Sequence, residues 1–314
     1  MTSATAVADL DWGSESGVAA EIRRVVAMAT DADERSPLNE ASLLSLQHHR
    51  PAGLWVVRSG DAVAGFAVAS GGTSDADFSG GWSDGLEVDL VVAPSARGTG
   101  LGAALADAVL DRFGDRPLSA WSHGNHPAAA ALAASRGFAR VRDLWQMRRP
   151  LDASLPDPAE SVGLVVRTFQ PGDEDAVLRV NAAAFAHHPE QGEMTRADLE
   201  ERMAEPWFDP AGFFLAERDG ELLGFHWTKV HDAPRAGEVY VVGISPAAQG
   251  MGLGKLLTLT GLIHLREVGL PSVFLYVEAD NAAAVRLYEG LGFTHAAADT
   301  DVQYHREPTI APPR

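Results

Sequence analysis

The chain contains the same sequence pattern twice. The segment "LVVAPSARGTGLGAAL" begins at Leu90, and "VGISPAAQGMGLGKLL" begins at Val242. Downstream of each, "AALAASRGF" (130–138) corresponds to "VRLYEGLGF" (285–293). A repeat of this length in a chain of 314 residues predicts two similar domains of about 150 residues each.

The order of elements is the same in both halves. Each begins with an amphipathic helical region, at 17–29 and at 174–185. A strand, a tight turn with Gly and Asp, and a second strand follow at 54–70 and 213–230. Then come a strand, a glycine-rich turn that opens a helix, another strand, a short helix and a last strand. This order predicts an α/β fold with a mixed (α+β) sheet in each of two tandem domains that pack as a pseudo-dimer.

A segment rich in proline separates the halves. "RRPLDASLPDPAES" carries three prolines among polar residues, which is typical of a linker. We therefore predict an N-terminal domain over 1–150, a linker over 151–161 and a C-terminal domain over 162–314.

Composition excludes several classes of function. The net charge of −18 argues against nucleic acid and anionic membranes as partners. The absence of cysteine excludes thiolate metal sites. The histidines at 187–188 and His231 lack metal-ligand spacing and are interpreted as surface or pocket-lining residues, so no metal is expected. No apolar run reaches the roughly 18 residues of a membrane span, and the N-terminus lacks the pattern of a signal peptide. We expect a cytoplasmic protein, monomeric because the duplication supplies an internal partner.

The glycine-rich turns have the character of an anion site. Glycines let successive backbone N–H groups point at one anion, and the following helix adds partial positive charge. No Gly-Lys-Ser/Thr follows, so the turn is not a P-loop, and its spacing differs from that of a dinucleotide fingerprint. A pyrophosphate would fit such a turn, although a tight strand-to-helix turn would use the same residues.

The motifs together resemble a known family. Gln249-x-x-Gly252-x-Gly254 and Arg97-x-x-Gly100-x-Gly102 are similar to the acetyl-CoA pyrophosphate motif of the GCN5-related N-acetyltransferases, and "NAAAVRLYEGLGF" is similar to their second cofactor motif. The resemblance covers both halves and implies acetyl-CoA as co-substrate. It implies contacts from Val242, Gly243, Ile244, Gln249, Gly250, Met251, Gly252, Leu253, Gly254, Lys255, Asn281, Ala282, Ala283, Ala284, Val285 and Arg286. In the first half the equivalents are Leu90, Val91, Val92, Arg97, Gly98, Thr99, Gly100, Leu101 and Gly102.

The resemblance also implies a base and an acid. An amine attacks the thioester, so one proton leaves the incoming nitrogen and another is donated to the departing sulfur. Glu238 matches the family's base and Tyr288 its acid. Counting along the repeat aligns Glu238 with Leu86 and Tyr288 with Ala133, while alternation is expected to turn Glu87 to the opposite face. The first half is therefore expected to be catalytically silent while still able to bind acetyl-CoA.

The identity of the acceptor substrate is also implied by resemblance. Within the family, "AFAHHPEQG" (184–192), "WFDP" (207–210) and "GFHWTKVH" (224–231) resemble the tandem members that acetylate the cysteinyl amine of the small-molecule thiol Cys-GlcN-Ins. That resemblance implies substrate contacts from Glu40, Glu190, Lys229, Glu238 and Tyr276. Two alternatives stay open, which are an acetyltransferase for aminoglycosides or other small amines and a non-enzymatic acyl-CoA sensor.

Overall fold

The computed structural model describes residues 4–7, 12–15, 17–47, 51–71, 85–151, 155–158, 163–186, 192, 194–232 and 234–308. The elements of the first half are β1 Thr5–Ala6, α1 Gly17–Asp33, α2 Glu40–Gln47, β2 Pro51–Ser59, β3 Ala62–Gly71, β4 Leu86–Val92, α3 Leu101–Phe113, β5 Leu118–Ser122, α4 Pro127–Ser135 and β6 Ala139–Pro150. Those of the second half are β7 Val165–Thr168, α5 Glu174–Ala184, α6 Arg196–Met203, β8 Phe213–Arg218, β9 Glu221–Asp232, β10 Arg235–Ile244, α7 Leu253–Glu267, β11 Ser272–Glu278, α8 Ala282–Gly290 and β12 Thr294–Arg306. The predicted order of elements is confirmed.

The compact units of the chain differ from the sequence repeats. One unit comprises Met1–Asp143 with Ala297–Arg314, and the other comprises Leu144–Ala296. In the first unit β12 is antiparallel to β5, with Val302 opposite Ser122. In the second unit β6 is antiparallel to β11. Most of each repeat's last strand thus belongs to the other unit, because the unit boundaries fall within β6 and β12. The boundaries 1–150 and 162–314 stay a prediction about the sequence repeats.

Each unit has helices on both faces of its sheet. In the first unit the strand order is β1-β2-β3-β4-β5-β12, and in the second it is β6-β11-β10-β9-β8-β7. Helix α1 buries Ile22, Val25 and Ala29, which recur at helical spacing, in one core of the first unit. Helix α3 buries Leu105 and Val109 in a separate core with the opposite face of the strands. In the second unit α7 contributes to the core around β10 and β11, and α5 packs against β9 and β10.

A buried ionic cluster holds β12 in the first unit. The guanidinium of Arg35 donates to both Asp301 and Asp299, and Asp301 also accepts a hydrogen bond of 3.0 Å from the Gly124 N–H group. The Nδ1 atom of His123 lies 3.1 Å from Asp301 Oδ2. Asp89 is buried nearby, where burial raises its pKa while the hydrogen bond from Ser42 opposes that effect.

The two partners in this cluster have pKa values shifted in opposite directions. Burial alone would raise the pKa of Asp301, but the hydrogen bond and charge of His123, together with Arg35, hold that pKa below its ordinary value. Burial would favour a neutral imidazole at His123, but Asp301 and the charge of Asp89 raise the pKa of His123 despite the opposing charge of Arg35. The cluster therefore favours a charged pair inside the unit.

Replacement of Asp301 by asparagine should lower the free energy of unfolding by about 3–5 kcal/mol, the usual cost of removing one partner of a buried pair. Asp301 contributes above its unfolded pKa near 3.9, and this contribution is lost as pH falls through the lower folded pKa. His123 contributes below its unfolded pKa near 6.5, and this contribution is lost as pH rises through the higher folded pKa. Urea unfolding should show the largest difference from wild type between about pH 4 and pH 6.5.

Asp299→Asn is the matched control, because Asp299 binds the same Arg35 but is more exposed and forms no described bond with His123. We expect a smaller loss in the control, without the decline above neutral pH. A loss in Asp301→Asn that does not vary with pH would contradict the assigned role of His123.

Candidate active site

Two neighbouring strands of the second unit separate at the site. β10 and β11 pair in parallel only where Gly237, Glu238 and Val239 lie opposite 273–275. Beyond that point β10 pairs with β9 and β11 pairs with β6. Within the described chain, the side of β10 that faces β11 has no strand partner from Val241 to Ile244. Unpaired backbone N–H and C=O groups of this kind can bind an extended ligand through hydrogen bonds.

A β-bulge in β10 lies at the start of this gap. Val239 is opposite Thr228 and Val241 is opposite Trp227, so Tyr240 is the extra residue. In the first unit, β4 pairs with β3 without interruption along the described register from 65–71. The bulge is therefore a difference between the two halves.

The bulge corrects the sequence alignment of the predicted base. Glu238 is opposite Lys229 in β9 and opposite Phe274 in β11. In the first unit Ser70 takes the place of Lys229, and Ser119 takes the place of Phe274. The residue opposite both serines is Glu87. The prediction that Glu238 corresponds to Leu86 was wrong, because counting backward from the glycine turn passes the one extra residue at the bulge. The first half retains a carboxylate at this position, on the same face of the sheet.

The tyrosine position was aligned correctly. The N–H group of Phe293 donates to the carbonyl of Tyr288 at 3.0 Å, and that of Phe138 donates to the carbonyl of Ala133 at 3.0 Å. The two short helices therefore end in the same way, with Ala133 in the place of Tyr288. The first half lacks the phenolic hydroxyl at this position, and β4 lacks the bulge over its described pairing with β3, but the carboxylate is present.

Glu238 lies buried next to polar and aromatic side chains. Its Oε2 atom is 2.6 Å from Nε2 of His231. Its cross-strand neighbour Lys229 shares the same face, and the Lys229 ammonium lies 4.1 Å from the ring centroid of Trp207 and 5.0 Å from that of Tyr240. These are cation–π distances, so the bulged Tyr240 helps to fix the lysine beside the carboxylate.

Tyr288 is buried in the core on the other face of the sheet. Its neighbours in that core include Val239 and Leu275, which alternate with Glu238 and Phe274 along their strands. Burial raises the pKa of Tyr288 to about 12, so the hydroxyl stays protonated at neutral pH. The predicted base and acid therefore belong to opposite faces of the sheet, near the place where its strands separate.

The glycine turn has the geometry of an anion site in both units. Gly250 and Gly252 have φ of 81° and 76°, and Gly98 and Gly100 have φ of 75° and 88°. Gly252 is the N-cap of α7, whose first N–H groups have no acceptor within the helix. A Cβ atom at Gly252 would meet no protein atom within 4 Å, so the turn is open on the side that a side chain would occupy.

Replacement of Gly252 by alanine should therefore raise KM for acetyl-CoA about tenfold or more. Alanine at this φ costs about 1–2 kcal/mol. A turn that shifts to relieve this strain would misalign the N–H groups expected to bind the pyrophosphate. Steady-state kinetics with varied acetyl-CoA would measure the change. Gly100→Ala imposes the same strain in the first unit and should leave this KM unchanged. Equal effects of the two substitutions would contradict a pyrophosphate site at Gly252.

The other predicted contacts differ in how they are placed. Asn281 is the N-cap of α8, and its side chain accepts a hydrogen bond of 3.1 Å from the Ala284 N–H group. Lys255 and Arg286 are exposed, on α7 and α8 respectively. The Tyr276 hydroxyl accepts a hydrogen bond of 2.8 Å from Gln146, a residue of β6 within the second unit.

Two predicted substrate residues are not among the described residues of the second unit. Glu40 is the first residue of α2, in the first unit. Glu190 lies outside the described residues, as do the histidines at 187–188. The second unit by itself brings together Glu238, Lys229 and Tyr276 on one face of adjacent strands.

The first unit contains a cavity of about 390 Å³ at its own glycine turn. Its lining includes Arg97, Gly100 and Gly102 of the glycine turn, together with His123 and Ala133. Arg97 donates two hydrogen bonds to Asp33, at 2.6 and 2.7 Å, and these lower the pKa of that carboxyl. The small side chains of α4 leave open a volume that bulkier residues would fill.

Sequence reasoning missed the contributions of three residues. His231 was interpreted only as a surface or pocket residue, yet it binds Glu238 directly. Trp207 and Tyr240 were not assigned to the site. A tight turn after "KVHD" would pair the strands on either side of it, and this pairing could have brought His231 near Glu238.

A comparison with known proteins decides the family. The sequence profile of the acetyltransferase (GNAT) family matches residues 20–138 and 181–293. The chain belongs to this family. It is an acetyl-CoA-dependent N-acetyltransferase with two GNAT repeats, which confirms the predicted fold class and reaction type.

Individual relatives support a closer relationship. A mycothiol acetyltransferase from a Nocardioides species is 52% identical over 91% of this chain and 97% of its own. One from Streptomyces coelicolor is 60% identical over 70% of this chain and 71% of its own. A tandem GNAT protein from the clavulanic acid biosynthesis pathway has the same fold, with a TM-score of 0.72 at 23% identity, over 99% of this chain and 100% of its own.

Two negative observations apply to the described part of this GNAT protein. Its His, Asp and Glu side chains form no group of three or more that could hold a metal ion. None of its described helices is both long and apolar enough to cross a membrane.

Proposed function

We propose that this enzyme transfers the acetyl group of acetyl-CoA to the cysteinyl amine of Cys-GlcN-Ins, giving mycothiol and CoA. The observation that carries the proposal is the set of relatives named mycothiol acetyltransferase, which are 48–60% identical over most of the chain. The second unit supports the same chemistry, since it combines a glycine turn for pyrophosphate, a gap between strands and a buried carboxylate next to that gap.

The proposed reaction is a direct transfer. Glu238 accepts a proton from the ammonium, directly or through water, and the free amine attacks the thioester carbonyl carbon. An α-amino group has a pKa near 7.7–8.0, so a carboxylate is a sufficient base at neutral pH. Backbone N–H groups of 242–244 bind the carbonyl oxygen as negative charge develops there. The C–S bond then breaks, and the Tyr288 hydroxyl donates to the departing thiolate. The nitrogen loses its second proton as the amide forms, and this proton returns through water to the Tyr288 oxygen, so that one proton per cycle remains on Glu238.

The acceptor would be held by charged and polar groups. Carboxylates can accept from an ammonium or from sugar hydroxyls, and a lysine can donate to hydroxyl oxygens. We assign these contacts to Glu40, Glu190, Lys229 and Tyr276, besides Glu238. Lys229 is already fixed by the rings of Trp207 and Tyr240, which would reduce the entropy lost when it binds a hydroxyl group.

The first half would bind acetyl-CoA without turning it over. Its glycine turn and cavity support binding, whereas Ala133 supplies no acid and β4 lacks the bulge over its described length. The proposal also includes a monomeric enzyme acting in the cytoplasm, where acetyl-CoA is available.

Mass spectrometry of the product would test the proposal. Purified protein would be incubated with acetyl-CoA and Cys-GlcN-Ins, in parallel with an aminoglycoside. We expect acetylation of the cysteinyl amine only. Turnover of the aminoglycoside alone would contradict Cys-GlcN-Ins as the acceptor and favour an aminoglycoside acetyltransferase. Binding of acetyl-CoA without any product would favour an acyl-CoA sensor. Thiol-reactive dyes are unsuitable because the acceptor itself carries a thiol.

A further inference from the structure

We propose that His231 carries the proton from Glu238 to solvent during turnover. This inference rests on the proposed function, in which Glu238 accepts a proton in each cycle. A buried carboxylate must lose that proton before the next acceptor binds. The structure shows one group in direct contact with Glu238 that could take it.

The contact between the two side chains is short and runs from buried to exposed. His231 Nε2 lies 2.6 Å from Glu238 Oε2, well within hydrogen-bond distance. Only 10% of the Glu238 side chain is exposed, compared with 31% of that of His231. Imidazoles take up and release protons readily near neutral pH, through either ring nitrogen. The arrangement therefore connects the buried base to solvent through a titratable ring.

The surroundings of His231 hold the ring in place. It follows Lys229 by two residues in β9, so both side chains are on the face that carries Glu238. The ring centroid lies 5.1 Å from that of Phe274 in β11, over which the guanidinium of Arg148 also packs. The ring is thus packed between β9 and β11 with one nitrogen directed at the carboxylate.

The first half provides a natural contrast. Glu87, the structural counterpart of Glu238, accepts a hydrogen bond from the side-chain amide of Asn39. An amide can orient a carboxylate but does not take up a proton at neutral pH. A histidine contact to this carboxylate is described in the second half, which also carries Tyr288.

The proton steps balance without another reactant. The ammonium of the acceptor gives one proton to Glu238. The carboxylic acid passes it from Oε2 to His231 Nε2, while His231 releases the proton on Nδ1 to water. Tautomeric exchange of the ring through water, which moves the remaining proton from Nε2 back to Nδ1, restores the starting state. No bond to carbon or sulfur changes in these steps, so His231 is a positioning and relay residue and Glu238 remains the base.

His231→Ala with chemical rescue would test the relay. We expect kcat to fall roughly tenfold. This loss is smaller than the 10²–10⁴-fold loss that is typical when a catalytic base is removed. Added imidazole should restore much of the lost rate. His231→Gln keeps a side-chain N–H group that can bind Glu238 but cannot relay a proton, so it should remain impaired. His264→Ala is the control, because His264 is a half-buried histidine packed on Phe214. This variant should keep its kcat, and added imidazole should not change its rate.

The outcomes separate the possible roles of His231. Full activity in His231→Gln, or an unrescued loss in His231→Ala with a folded protein by circular dichroism, would overturn the relay and leave a structural contact only. The ¹⁵N shifts of the His231 ring give a readout besides activity, since they should change in Glu238→Gln. If wild type yields no product with Cys-GlcN-Ins, the proposed function fails, whereas a product from wild type with unrescued variants rejects the relay alone.

Discussion

Replacing Glu238 by glutamine should lower kcat/KM for the amine acceptor by about 10²–10⁴-fold, the range typical of a removed general base. Glutamine has nearly the same shape, so it preserves packing at a residue that is 8% exposed. It can no longer accept the proton of the ammonium. The defect should become smaller above about pH 8, where the α-amino group loses its proton to bulk solvent.

Stopped-time product assays by mass spectrometry from pH 6 to pH 9.5 would measure this effect. Glu87→Gln is a matched control, because Glu87 occupies the same register in the first unit. It should leave turnover unchanged if only the second half is catalytic. A substantial loss of turnover in Glu87→Gln would contradict the proposal that only the second half is catalytic. Near-normal rates in Glu238→Gln would contradict the proposal that Glu238 is the base.

Replacing Tyr288 by phenylalanine should lower kcat by about 10²-fold or more, with little change in KM for acetyl-CoA. In the proposed mechanism the phenol donates to sulfur only as negative charge develops there, so its loss should affect the transition state more than the bound ground state. Burial is the cause of the raised pKa of this hydroxyl, and no hydrogen bond from a described residue contributes to it, so removal of the hydroxyl should leave thermal stability nearly unchanged. Wild type and variant should share the form of their pH–rate profiles, since Tyr288 titrates only at about pH 12.

Single-turnover and steady-state rates together would separate chemistry from product release in this variant. Tyr304→Phe is the matched control, being a buried tyrosine of the first unit whose pKa burial also raises. Unchanged turnover in Tyr288→Phe would reject the acid, though not the reaction itself.

Local patterns in the sequence were sufficient for most of the fold. The glycine turns, the hairpins and the short helices before Phe138 and Phe293 depend on backbone preferences within a few residues. Asp219 and Gly220, for example, take the positive φ that a two-residue hairpin turn requires. The repeat then indicated that both halves share one fold, and the family profile confirmed it.

Features that depend on pairing between distant residues could not be read in this way. The bulge at Tyr240 adds one residue to β10 with no signal in composition, and a single added residue reverses the face of every residue before it. The alignment of Glu238 with Leu86 failed for that reason, and the contact between His231 and Glu238 was missed because it joins residues across a hairpin.

The sequence by itself determined the repeated α/β fold, the two glycine turns, and Ala133 in place of Tyr288, because each of these follows from residue types at short spacing. Only the tertiary structure decided that Glu87 matches Glu238, that His231 contacts Glu238, and that most of β6 and most of β12 belong to the other repeat's unit. Strand register and strand exchange are set by side-chain burial summed over whole sheets, and many registers satisfy the same alternating pattern until the partner strand is known.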